Sequence, residues 1–251
     1  MTTAADILET MRAMEDEAQR RVLGRFFKTA PGEYGEGDRF LGLRVPQTRG
    51  IVKECRLDVP FGEIEALLRS PWHEARLAGF LLLVEEMKDA TPRRGEQPVS
   101  RAARRGEIAR FYLAHARCAN NWDLVDLSCY KVLGPWLSLP CADGGMPERG
   151  VLDALAGSDN LWEQRIAIVT TMAFVKAGCF ADTLRISDKL LGHPHDLIHK
   201  AVGWMLREVG KRDIDTLRGY LEANVGRMHR TTLRYAIERM SADERGYFMR
   251  R

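Results

Sequence analysis

Apolar side chains recur every three or four residues along almost the whole chain and nowhere alternate with polar ones for the length of a strand. A period near 3.6 buries one stripe of a helix, whereas burying one face of a sheet needs a period of two. The chain is therefore read as all-α. Glycine and proline cluster at "TAPGEYGEGD" (29–38), "DATPRRGEQPVS" (89–100), "LPCADGGMPERG" (139–150) and "LGHPHD" (191–196), which marks the connections between helices. The longest apolar runs, such as "GFLLLV" at 79–84, are far too short to span a bilayer.

A weak self-similarity narrows the architecture. "SPWHEARLAGF" from Ser70 and "SDNLWEQRIAI" from Ser158 share a serine start, a tryptophan and a Glu-x-Arg-x-Ala core, and "HDLIHKAVGW" echoes them about 35 residues after Arg165. Such spacing suits stacked helical hairpins, hence an α-solenoid of HEAT type in which curvature offers a concave face to a long partner. An irregular helical bundle is the alternative. Residues 1–251 are read as a single domain of this kind.

Composition excludes several classes. Five scattered cysteines (Cys55, Cys118, Cys129, Cys141, Cys179) without a C-x-x-C fit neither a disulfide framework nor a zinc site, and are read as free thiols. The N-terminus is acidic and amphipathic, without the pattern of a secretory signal, so a cytoplasmic location is expected. Net charge is only +3, but it is unevenly placed: Leu197 to Arg251 carries twelve Lys/Arg against seven Asp/Glu.

Three segments carry the chemistry. In "DLIHKAVGWMLREVGKR" the core stripe is Ala201, Val202, Met205, Leu206 and Val209, which leaves Lys200, Trp204, Arg207 and Lys211 on the opposite side at about 100° per residue. An indole among three cations reads either as a platform for a phosphodiester backbone or as a side chain covered by the next helical layer. In "NNWDLVD" (120–126), Asn120 fits an N-cap and Asp123 complements the helix N-terminus. Asp126 has no such duty, and lies one turn beyond Trp122 on the same face, where both can touch one object. In "NLWEQRIAIVTTMAFVKAG", read as one central helix, Arg165 lies among apolar residues and requires a partner, either Asp126 or a phosphate.

Other candidates point elsewhere or nowhere. His193, His195 and His199 lie close in sequence, but Pro194 and Asp196 fit a turn and an N-cap, so no metal site is expected. The arginines Arg93, Arg94, Arg101, Arg104, Arg105 and Arg110 are read as a solvated loop and helix face, or as further phosphate contacts. No phosphate-binding loop, dinucleotide fingerprint, HExxH or GxSxG is present, and no cofactor is expected.

Taken in order, "NNWDLVD", "NLWEQRIAI" and "HKAVGWMLRE" resemble the alkylpurine DNA glycosylases of the AlkD type. "FLGLRVPQTRG" (40–50) is similar to that family's N-terminal motif, so the resemblance runs from Phe40 to about Tyr247. It implies HEAT-like repeats whose concave basic face holds duplex DNA, and excision of N3- and N7-alkylated purines without drawing the base into a pocket. By position, Asp126 matches the catalytic carboxylate, Trp122 and Trp204 the two indoles that pack on the deoxyribose, and Arg165 an arginine that contacts the backbone. Lys200, Arg207, Lys211, Arg44 and Arg49 are the further cations expected on DNA. A monomer without an obligate protein partner is implied. Asn121 stands where the best-known pattern has a second tryptophan, and Arg44 and Val45 replace a polar pair, departures that bear on lesion preference. His229 stands where relatives carry proline. A HEAT-like protein that binds damaged or structured DNA without cutting is the second reading; a peptide-binding scaffold, which would want an acidic or neutral concave face, is the third.

Overall fold

A computed structural model describes residues 1–251 as helices joined by short connections, with one isolated bridge between Arg39 and Trp72 in place of any sheet. The amino-terminal part holds α1 (Ala4–Arg12), α2 (Glu17–Phe26), α3 (Val45–Cys55), α4 (Phe61–Leu68), α5 (His73–Ala90) and α6 (Ala102–Ala114). The middle holds α7 (Trp122–Ser138), α8 (Gly150–Ala156), α9 (Leu161–Thr170) and α10 (Met172–Lys176). The remainder is α11 (Ala181–Leu190), α12 (Asp196–Arg212), α13 (Ile214–Asn224), α14 (Arg230–Ala236) and α15 (Ala242–Met249).

These helices stack in two layers. Helices α3, α5, α7, α9, α12 and α14 follow one another as neighbours in one layer, while α4, α6, α8, α11 and α13 pack behind them. That is the hairpin arrangement of an α-solenoid. One hydrophobic cluster of 58 buried residues runs through it from Ala4 to Phe248. No helix is long and apolar enough to cross a membrane.

All four glycine- and proline-rich stretches separate helices as the sequence indicates. Elsewhere the local reading needs correction. The segment taken as one central helix breaks at Thr171, whose hydroxyl donates to the Ile168 carbonyl at 2.7 Å and whose amide makes a tight turn to the same oxygen at 3.2 Å. A threonine hydroxyl competes in this way with the helical ladder. The N-cap of α7 is Asn121 and not Asn120: the Asn121 side chain accepts from the Trp122 amide at 2.9 Å, while Asn120 accepts from Arg76. Likewise His195, not Asp196, caps α12, and Asp196 pairs with Lys200. All five cysteines are free thiols.

Arg105 departs most from expectation. Read as part of a solvated face, it is 1% exposed. Its guanidinium donates to the carbonyls of Ala90 at 3.2 Å, Pro98 at 2.8 Å and Pro140 at 2.9 Å, and to that of Ser100. The five N–H donors of an arginine suit a place where helix-end carbonyls converge. Arg101 and Arg104 pair with Asp89 and Glu96, and with Glu86 and Glu107.

The two similar segments have a structural counterpart. Arg76 of α5 and Arg165 of α9 are both buried, and each reaches an aspartate of an earlier segment, Asp38 and Asp126 respectively. Glu74 is buried too, and its carboxylate accepts the amides of Leu41, Gly42 and Leu43 at 2.9, 2.8 and 3.1 Å. Gly42 adopts φ +98, and a Cβ there would lie 2.1 Å from the Asp16 carbonyl oxygen, so only glycine fits this crossing of chain segments.

Candidate active site

Helix α7 begins with Trp122, and Asp126 follows one turn later. Both line a cavity of about 430 Å³ whose walls include Phe26, Phe27, Arg44 and Leu127. The structure thus brings three of the sequence-derived residues, Trp122, Asp126 and Arg44, to one space. Trp122 is half-buried; Phe26 meets it edge-on at 5.8 Å between ring centroids and Phe27 at 5.4 Å.

Arg165 approaches from α9. Its Nε donates to Asp126 Oδ1 at 2.9 Å and its Nη2 to Oδ2 at 2.7 Å, the two-pronged geometry that fixes a carboxylate plane. Of the partners the sequence allowed, the structure has Asp126. The remaining prong, Nη1, donates to the Leu197 carbonyl at 2.6 Å in the first turn of α12. Burial pushes the Asp126 carboxyl above the usual carboxylate range, with Arg165 opposing the shift and Asp123 adding to it.

Trp204 lies two turns beyond Leu197 on the face of α12 that receives Arg165, half-buried against the core. The three cations beside it are not bare. Lys200 pairs with Asp196 at 2.8 Å, Lys211 with Glu208 at 2.7 Å, and Arg207 with Glu238 and Glu208. The expected basic strip on α12 is therefore largely neutralised within the protein. Arg44 and Arg49 are exposed on α3 and its cap.

A buried network that sequence reasoning missed underlies the start of α7. His73 Nδ1 lies 2.8 Å from Asp38 Oδ2 and its Nε2 lies 2.9 Å from Asp123 Oδ2, with Arg76 also on Asp38. Burial alone would lower the imidazole pKa, but the Asp123 and Asp38 carboxylates outweigh it and raise the pKa to about 9. Asp123, assigned to the helix terminus from sequence, thus has a second function as an anchor. The histidine stood inside the self-similar segment "SPWHEARLAGF", at a position where a polar side chain interrupts an otherwise buried helix. The other histidines are engaged locally: His193 and His195 accept backbone amides, and His199 contacts the His193 carbonyl and stacks on His229 at 4.0 Å. No cluster of three or more His, Cys, Asp and Glu side chains has the geometry to hold a metal ion.

The fold is thus that of a helical-repeat protein, with an indole and an arginine-held carboxylate sharing one cavity. The family model described as DNA alkylation repair enzyme matches residues 7–240, and the chain belongs to that family, whose role is in DNA repair. Among solved structures, a predicted DNA alkylation repair enzyme from Enterococcus faecalis is similar, with a TM-score of 0.63 and 16% identity over 91% of this chain and 97% of the other. At that identity the likeness concerns the fold. No curated protein matches the chain.

Proposed function

We propose that this protein is a monofunctional DNA glycosylase that hydrolyses the N-glycosidic bond of N3- and N7-alkylated purines in duplex DNA without flipping the base. The observation that carries the reading is Asp126, held by Arg165 in a cavity shared with Trp122. Residues 1–251 act in this reading as one domain, as a monomer and without a cofactor.

An alkylated purine carries a formal positive charge. When the bond from C1′ to the base nitrogen breaks, its electron pair neutralises that charge, so the leaving group needs no strong acid. The sugar left behind is oxocarbenium-like. Asp126 stabilises it electrostatically, and water adds to C1′ and gives up its proton, leaving an abasic site and a free base. Trp122 and Trp204 pack on the deoxyribose, and Arg165 acts as a positioning residue that fixes the carboxylate plane. Arg44 and Arg49 contact the backbone, joined by Lys200, Arg207 and Lys211 where their intramolecular pairs exchange for phosphate.

One observation favours a second reading. Both oxygens of Asp126 accept from Arg165, as in a purely structural pair, which suits a protein that recognises damaged or structured DNA without cutting it. The test is release of free base from a duplex containing a single N7-methylguanine, comparing wild type with Asp126→Asn. Release by wild type alone supports the glycosylase; binding by both without release by either supports the second reading.

A further inference from the structure

We infer that a groove beside the Asp126 cavity is a phosphodiester-binding site, and that this groove, rather than α12, supplies the main electrostatic hold on duplex DNA. The inference rests on the DNA reading above and deepens it by locating where the backbone is held.

The groove, about 860 Å³, lies between the carboxy-terminal ends of α3 and α5, the middle of α7, and α10. Its floor is apolar, with Val84, Pro135 and Ala173. Its rim is cationic: Lys131 and Lys176 line it, and Arg49 faces Lys131 in an adjoining hollow of about 330 Å³. The two carboxylates that also line it are taken. Glu85 lies 3.8 Å from Arg56 and 3.5 Å from Lys88, and Asp89 pairs with Arg101. Arg49, Lys131 and Lys176 have no carboxylate within ion-pair distance.

Two of these cations converge on one tyrosine. The Lys176 ammonium is 4.6 Å and the Lys131 ammonium 5.5 Å from the centroid of the half-buried Tyr130 ring. The convergence is built by Gly134, where an added Cβ would lie 2.4 Å from the Ala173 Cβ, so α7 and α10 approach almost backbone to backbone. Burial pushes the Lys131 pKa down, and Arg49 and Lys176 push it further. Helix polarity accounts for the lysine in the last turn of α10, but not for Lys131, which stands in mid-helix. Glu85, already shared with Arg56 and Lys88, offsets this crowding only in part, and a bound anion relieves the remainder.

Duplex DNA suits the site for three reasons. Tyr130, on which Lys131 and Lys176 close, lies one turn beyond Asp126 on the same face of α7, about 6 Å along the axis, which spans roughly two nucleotides of a duplex strand. The α12 cations are each already neutralised, so fewer counter-ions would be released there. The apolar floor and the tyrosine ring suit sugar faces between phosphates.

The test is the salt dependence of binding to a fluorescent, undamaged duplex. Lys131→Gln/Lys176→Gln is compared with Arg207→Gln/Lys211→Gln. The groove pair is expected to weaken binding roughly ten-fold or more and to reduce the salt slope by about two units, and the α12 pair to reduce it by less than about one. The Lys131→Arg/Lys176→Arg variant should restore both, which separates lost charge from lost fold. A slope that moves with the α12 pair and not with the groove pair overturns the inference. So does a wild type that ignores duplex, or one that binds polyglutamate with the same dependence on Lys131 and Lys176, which would make the groove a site for acidic protein. Groove-dependent duplex binding without base release removes the glycosylase reading and leaves this inference standing. Base release with an unaltered slope does the reverse.

Discussion

Arg165 grips Asp126 by both carboxylate oxygens, at 2.9 and 2.7 Å, and holds the Leu197 carbonyl with its remaining prong. One guanidinium therefore joins α7, α9 and α12, the helices that carry the carboxylate and both candidate indoles.

Replacing Arg165 with glutamine should move the acid limb of the pH–rate profile upward. Burial already raises the Asp126 carboxyl and Arg165 opposes the rise, and the proposed reaction needs the ionised form. The variant should also lose roughly 3–5 kcal/mol of stability near neutral pH, because a buried charge is left unpaired. Its folded carboxyl then binds a proton more tightly than the unfolded one, so the deficit shrinks as pH falls. Rate profiles and urea unfolding check both; a limb that stays in place would remove Arg165 as the partner that tunes the carboxylate.

His73 should make the protein sensitive to alkali. Its folded pKa of about 9 lies above the ordinary value of 6.5, so its contribution is complete below 6.5 and is lost as pH rises through 9. The window corresponds to about 3 kcal/mol. Urea unfolding of wild type should show this decline, and His73→Gln should be destabilised at neutral pH and nearly flat across the same window. Parallel curves for the two proteins would place the pH dependence elsewhere.

Arg105→Met should loosen the 91–100 connection. The variant preserves the apolar stem but orphans carbonyls of Ala90, Pro98, Ser100 and Pro140, at a cost of roughly 2–4 kcal/mol. Limited trypsin digestion should cut faster at Arg93 or Arg94. An unchanged rate would mean that other contacts hold the loop.

The legibility of this chain in its sequence divides along physical lines. Helix positions were readable where glycine and proline punctuate them, and the Trp122–Asp126 pair was readable from helical spacing, because both signals are local. Thr171 broke a helix whose pattern continued unbroken, since a hydroxyl competing for a carbonyl leaves no mark on periodicity. The α12 cations show the limit of a helical wheel. It placed Lys200, Arg207 and Lys211 on one face, but Glu238 reaches Arg207 from 31 residues away. Arg105 and His73 were missed for the same reason: charge alone does not reveal that carbonyls or carboxylates from distant segments surround a side chain.

The cradle around Glu74 bears on how far the chain can be shortened. Three amides from Leu41, Gly42 and Leu43 solvate that carboxylate, and Asp38 flanks His73 beside it. A chain trimmed to start at Arg44 would carry a bare carboxylate and a half-matched imidazole into the first turn of α5. The residues before Arg44 are thus not a detachable preface: they act as the internal solvent of the helix beside α7, and removing them would unsettle that helix before it uncovered anything.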